Sequence, residues 1–222
     1  MPLKLPAKNA EPTQENVRAL QEGLTSIIAG HPGAAELWTF YEAIDEYLGP
    51  WGDGGYPIGY GKYYCKLFND NSKLRNDDEG AAWILRTTIN LQESLRDFIV
   101  NQFSKGKLAN LTEPELRRYA FSTHAKVYND SGLVKIIFLA PELLPVIVSI
   151  PGKEYVPTAP YFTDTIEQIF ETMRCVVPTT FAVGIAAMMP VHSGMLRRAA
   201  QQDIAEQLRS FQVSSRLLKK SL

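Results

Sequence analysis

The sequence predicts an α+β fold that is mostly α, with one small β-hairpin region in the N-terminal third and an elaborated helical C-terminal part. Three observations carry this expectation. Apolar residues recur at three- and four-residue intervals over several long stretches, the spacing of one helical face. A single short stretch, GYPIGYGKYY at 55–64, concentrates glycines and aromatic rings between polar segments. Of the 222 residues, 45% are apolar and 21% charged, enough apolar surface to bury a core.

Residues 1–13 hold three prolines and no apolar period, and read as a flexible arm. Val17, Leu20, Leu24, Ile27 and Ile28 then define a helix over 14–29, stopped by GHPG at 30–33. Leu37, Trp38, Tyr41, Ile44 and Leu48 mark a second helix over 34–48. GPWGDGGYP breaks regular structure after it. From Ile58 to Phe68 the rings and the isoleucine read as short extended segments, the hairpin of the fold class. NDNSKLRNDDEG is a polar connection.

A long amphipathic helix follows over 80–104, with Trp83, Ile84, Leu91, Leu95, Phe98 and Ile99 inward. LTEPEL at 111–116 is a capping box, with Thr112 as cap, Pro114 in the first turn and Glu115 three residues on. The helix it opens carries Leu116, Tyr119, Ala120 and Val127. LVKIIFLAPELLPVIVSIPG at 133–152 fits either a buried helix plus strand or packed irregular chain, and periodicity does not choose between them. Three more helices are expected over 160–174, 179–189 and 193–219. With no internal repeat, the arm is followed by a single domain over 14–222.

The charges balance, 23 basic against 24 acidic residues for a net of −1, which lacks the basic footprint of a nucleic-acid binder. Arg197, Arg198, Arg209, Arg216, Lys219 and Lys220 form a solvated face, or one that meets an acidic partner. Cys65 and Cys175 are too few and too far apart for a disulfide scaffold or a zinc site, and are expected to be buried thiols. The three histidines lack ligand spacing, so no metal or cofactor is expected. The longest apolar run, CVVPTTFAVGIAAMMP, falls short of the ~20 residues of a membrane span and is interrupted by Pro178. No apolar stretch follows the basic N-terminal residues, so a chain made in the cytoplasm without a signal peptide is expected.

Chemistry concentrates around the glycine-rich break. Glu42, Asp45 and Glu46 approach it from a helix end, and Asp53 lies within it. Glycosidases use two carboxyl groups astride the scissile bond, one protonated and one ionised. The protonated one needs apolar walls, which Tyr41 and Trp38 would give Glu42, whereas Asp53 between glycines would stay solvated and charged. Glycines admit a sugar chain close to the backbone, and tyrosine rings offer it flat faces. A plain hairpin beside solvent-facing acids is the competing account.

The segment YEAIDEYLGPWGDGGYPIGYGKYY resembles the active-site segment of the phage-type lysozymes, the endolysin muramidases. Ile58-Gly59-Tyr60-Gly61 matches that family's Ile-Gly-Tyr-Gly hairpin, and Glu42 lies fifteen positions before Pro57, a spacing common in the family. Weaker likeness in the helix from Gly80 and in LTEPELRRYAFSTHAKVYNDSGLVKII extends the resemblance over 34–139, leaving 140–222 as a helical elaboration. Pro57 stands where the family has threonine, Lys62 where it has histidine, and Trp51 in the usual slot of its aspartate.

The resemblance implies a lysozyme-like fold and a muramidase acting on peptidoglycan glycan strands. Glu42 would be the general acid, Asp53 the second carboxylate, Tyr56 and Tyr60 would line the cleft, and Lys62 would touch polar substituents. Such an enzyme would reach the periplasm or cell wall through lysis or secretion machinery, as a lysis protein or an antibacterial effector with a cognate inhibitor protein. The alternative, favoured by Pro57, is a catalytically silent lysozyme-like module that binds a protein partner or glycan. A third account pairs Cys65 with His124 as a nucleophilic hydrolase.

Overall fold

A single helix of 27 residues, Asp78–Ser104, packs against more of the other elements than any other among the described residues. The structure, a computed structural model, describes residues 5–31, 36–155 and 158–176. The helices expected over 179–189 and 193–219 lie outside the described residues, as does the side chain of Cys175. The chain divides into two compact units, Met1–Ile150 and Pro151–Leu222.

In the first unit the α-helices are α1 Gln14–Ser26, α2 Thr39–Leu48, α3 Tyr63–Asp70, α4 Ser72–Arg75, α5 Asp78–Ser104, α6 Glu113–Asp130, α7 Leu133–Leu139 and α8 Leu144–Ser149. Short 3-10 turns at Gly52–Gly54, Leu108–Asn110 and Pro141–Leu143 join them, and a π-helical turn spans Tyr56–Lys62. α5 starts where Asp77 accepts from the Gly80 N–H at 2.9 Å, with Asp78 and Glu79 in its first turn opposing the helix dipole. Trp83, Ile84, Leu95, Ile99 and Phe103 are buried along it, while Leu91 and Phe98 are only partly covered. The capping box opens α6 as expected, with Glu115 Oε2 accepting from the Thr112 N–H at 2.9 Å.

The expected β-hairpin does not form. Among the described residues there is no strand, and the fold is helical rather than α+β. Residues 56–70 run as the π-helical turn directly into α3. The reason lies in a period the glycines obscure: Tyr56, Tyr60 and Tyr64 recur every fourth residue and are all buried, so they form a helical stripe rather than an alternating one. Pro57 falls at the start of the turn, where its missing N–H is no loss. Gly61 is required for packing, because a Cβ there would sit 2.4 Å from the Tyr41 ring of α2. The apolar tract at 133–152 contributes α7 and α8 with no strand, and the polar connection at 69–80 contains α4.

Buried polar groups tie the elements together. Gln92, fully buried on α5, accepts from the Ala29 N–H at 2.8 Å and donates to the Leu37 carbonyl at 2.5 Å, joining the chain after α1 to the chain before α2. Arg86 donates to the Ser131 carbonyl at 2.8 Å and Asn90 to its hydroxyl at 3.0 Å, fixing the end of α6 against α5. The segment read as a loose arm is held over its described part: Lys8 donates to the Leu48 carbonyl at 2.7 Å, and the Tyr47 hydroxyl to the Pro6 carbonyl at 2.9 Å. In the second unit, a 3-10 turn at Gly152–Tyr155 precedes α9, Phe162–Val176, and the buried Glu154 accepts from the Tyr161 N–H at 3.3 Å.

Candidate functional site

α2 brings Glu42 to the π-helical turn, and the turn answers with a cation. Lys62 Nζ lies 2.5 Å from Glu42 Oε1, the two side chains being 29% and 44% exposed. A general acid needs an apolar wall. Glu42 is set against an ammonium instead. Three residues on, Asp45 is buried and accepts from the N–H groups of Trp51 and Gly52, both at 3.2 Å. Its carboxylate closes the turn that follows α2. Asp53 stands exposed on the Gly52–Gly54 turn, and Glu46 is exposed on α2.

The two tyrosines expected to line a cleft are core residues. Tyr56 is 1% exposed and Tyr60 5%. Their rings stack on each other with centroids 5.7 Å apart, and both meet Phe121 of α6 edge to face, at 5.7 and 4.6 Å. The structure thus brings Glu42 and Lys62 together, keeps Asp53 on an exposed turn, and places Tyr56 and Tyr60 inside. An open depression of about 450 Å³ lies on α1 and the turn after it, lined by Arg18, Gln21, Glu22, Thr25, Ser26 and His31, with none of the five candidates in its wall.

Cys65 and His124 are both buried, each in its own bonding pattern. The Cys65 thiol donates to the Leu37 carbonyl at 3.6 Å, and burial pushes it up to about 12. His124 Nδ1 is held by the Ala120 carbonyl at 2.5 Å, and its ring stacks on Phe121. A thiol kept neutral is a poor nucleophile, so the pair offers no activated sulfur. In the folded protein at pH 8, iodoacetamide is expected to leave Cys65 unmodified while urea-unfolded protein reacts fully, as read by peptide mapping. Rapid labelling of folded protein at Cys65 would contradict its burial.

One contact to the π-helical turn has no signal in the sequence. Glu113, in the first turn of α6, accepts from the Tyr56 N–H at 3.0 Å and so caps the π-helical turn from another helix. In the sequence Glu113 belongs to the capping motif of α6, and nothing there connects it with position 56. Among the described residues no three His, Cys, Asp or Glu side chains are grouped to hold a metal ion, and no helix is long and apolar enough to cross a membrane. No protein-family model matches the chain, and neither a curated protein nor a solved structure is found to match it.

Proposed function

We propose that the protein acts by binding a protein partner and that the Glu42 region is catalytically silent. The observation that carries this reading is the Glu42–Lys62 ion pair, which engages the carboxyl that would have to deliver a proton. The interior position of Tyr56 and Tyr60 supports it, since a sugar cleft would need those rings on its surface. α3 also presents Tyr63 and Leu67, one turn apart and both more than a third exposed, and tyrosine is among the side chains that anchor protein contacts.

The muramidase reading keeps one observation in its favour. Both Glu42 and Asp53 are reachable from solvent, so a bound glycan that displaced Lys62 could meet two carboxyl groups. In that reading Glu42 is the acid, Asp53 the second carboxylate, peptidoglycan the substrate and a cognate inhibitor the protein partner. Zymography on peptidoglycan separates the two. The full chain and its Glu42→Gln variant are both expected to leave the gel uncleared. Clearing by the wild type, lost in Glu42→Gln, would establish the enzyme and remove the silent module.

A further inference from the structure

We propose that the contact between α6 and the π-helical turn is an acid-labile latch, closed at neutral pH and opened when the buried His124 of α6 takes up a proton. This goes beyond the binding role and does not depend on which partner is bound.

Glu113 and His124 are eleven residues apart on α6, three turns of helix, so they face the same way. Each holds one part of the turn. Glu113 accepts the Tyr56 N–H at 3.0 Å, a bond strengthened by the carboxylate charge. The guanidinium of Arg117 lies 4.0 Å from its other oxygen. His124, 3% exposed, meets the Tyr60 ring of the turn with centroids 6.3 Å apart. Its other neighbours are aromatic: Phe121 at 5.3 Å and Tyr128 at 5.6 Å, both on α6. α5 meets this cluster through Trp83, whose ring lies 5.6 Å from that of Tyr128. Tyr64 of α3 lies against Tyr60, and Tyr41 of α2 interacts with Tyr60, Tyr128 and Cys65. The titratable groups in ring contact with the imidazole, Tyr60 and Tyr128, are phenols, which carry no charge in the acid range to balance an imidazolium.

The imidazole is therefore neutral at rest. Its Nδ1–H is assigned to the Ala120 carbonyl, so a second proton would go to Nε2, inside the ring cluster. Burial drives the group down to about 4, against a smaller opposing effect of the Ala120 bond. A histidine depressed in this way contributes stability that is complete above its ordinary value of 6.5 and is lost as the pH falls towards 4. Opening one side of the structure relieves the charge sooner than unfolding all of it. The π-helical turn is the side that yields, since it contains two glycines and the looser i→i+5 bonding. Release would bring the Tyr56 and Tyr60 rings to the surface.

Hydrogen exchange of the full chain from pH 7.5 to 4.5, corrected for intrinsic exchange rates, tests this. The amides of residues 58–62 are expected to lose up to about tenfold in protection per pH unit below 6.5, while those of Leu95 and Ile99 hold. A His124→Phe variant, which keeps a ring but not the titrating group, should flatten that slope. An unchanged slope in that variant would overturn the latch. So would loss of protection at Leu95 and Ile99 in step with the turn. If that variant does not fold, the ring resonances of His124 in the wild type decide: no titration down to pH 5 supports the latch, and a midpoint near 6.5 ends it.

Discussion

Replacing Gln92 by alanine is expected to destabilise the first unit by about 3 kcal/mol, an effect set by what the side chain leaves behind. Its oxygen is the partner of the Ala29 N–H, and its nitrogen is a donor to the Leu37 carbonyl. Ala29 is 1% exposed, so its N–H would have no water to turn to. Leaving a buried backbone group unpaired costs about 1–3 kcal/mol, and the missing side-chain volume adds to that. Leu37 retains the weak Cys65 thiol bond and suffers less. Gln92→Leu should recover the volume but not the bonds, and fall between alanine and wild type. All three tryptophans, at 38, 51 and 83, belong to the first unit, so urea unfolding followed by tryptophan fluorescence reads it alone. The alanine variant should lower the midpoint by roughly 1–2 M. A change of under about 0.3 M would show that the two bonds contribute little.

Gly61→Ala should cost about 2–3 kcal/mol, although alanine is ordinarily the better residue in a helix by about 1 kcal/mol. The added carbon would lie 2.4 and 2.5 Å from two atoms of the Tyr41 ring, far inside contact distance. That ring is 3% exposed and packs edge to face on Phe40, which is itself fully buried, so it has nowhere to swing. Gly54→Ala is the control: a Cβ added there meets nothing within 4 Å, and its backbone is not left-handed. In the same urea experiment Gly54→Ala should be nearly neutral and Gly61→Ala clearly destabilised. Equal behaviour of the two would mean that α2 can draw back from the turn, and the packing account of Gly61 would fail.

The helices with a strong apolar period were legible in sequence: α1 and α5 begin and end within a few residues of expectation, and the Thr112–Glu115 box marked the true start of α6. The 55–64 stretch was not. Its glycines and rings are the residues of hairpins, and its four-residue tyrosine period is only three members long, too short to outweigh that composition. The candidate site depends on the same stretch. A hairpin would present Tyr56 and Tyr60 to a ligand, whereas the helix they form turns them inward. The Glu42–Lys62 pairing needs two elements brought together by packing, and so does the Glu113–Tyr56 bond. No local pattern announces either.

The attachment of Lys8 and Pro6 to the end of α2 bears on how the molecule is handled at the bench. An affinity handle fused ahead of residue 5 would leave the surface close to Leu48, at the end of α2 and the start of the turn that Asp45 closes. Immobilising the chain by that end would crowd that surface and could mimic a failure to bind. Capture assays are better anchored elsewhere, with untagged protein in solution as the reference.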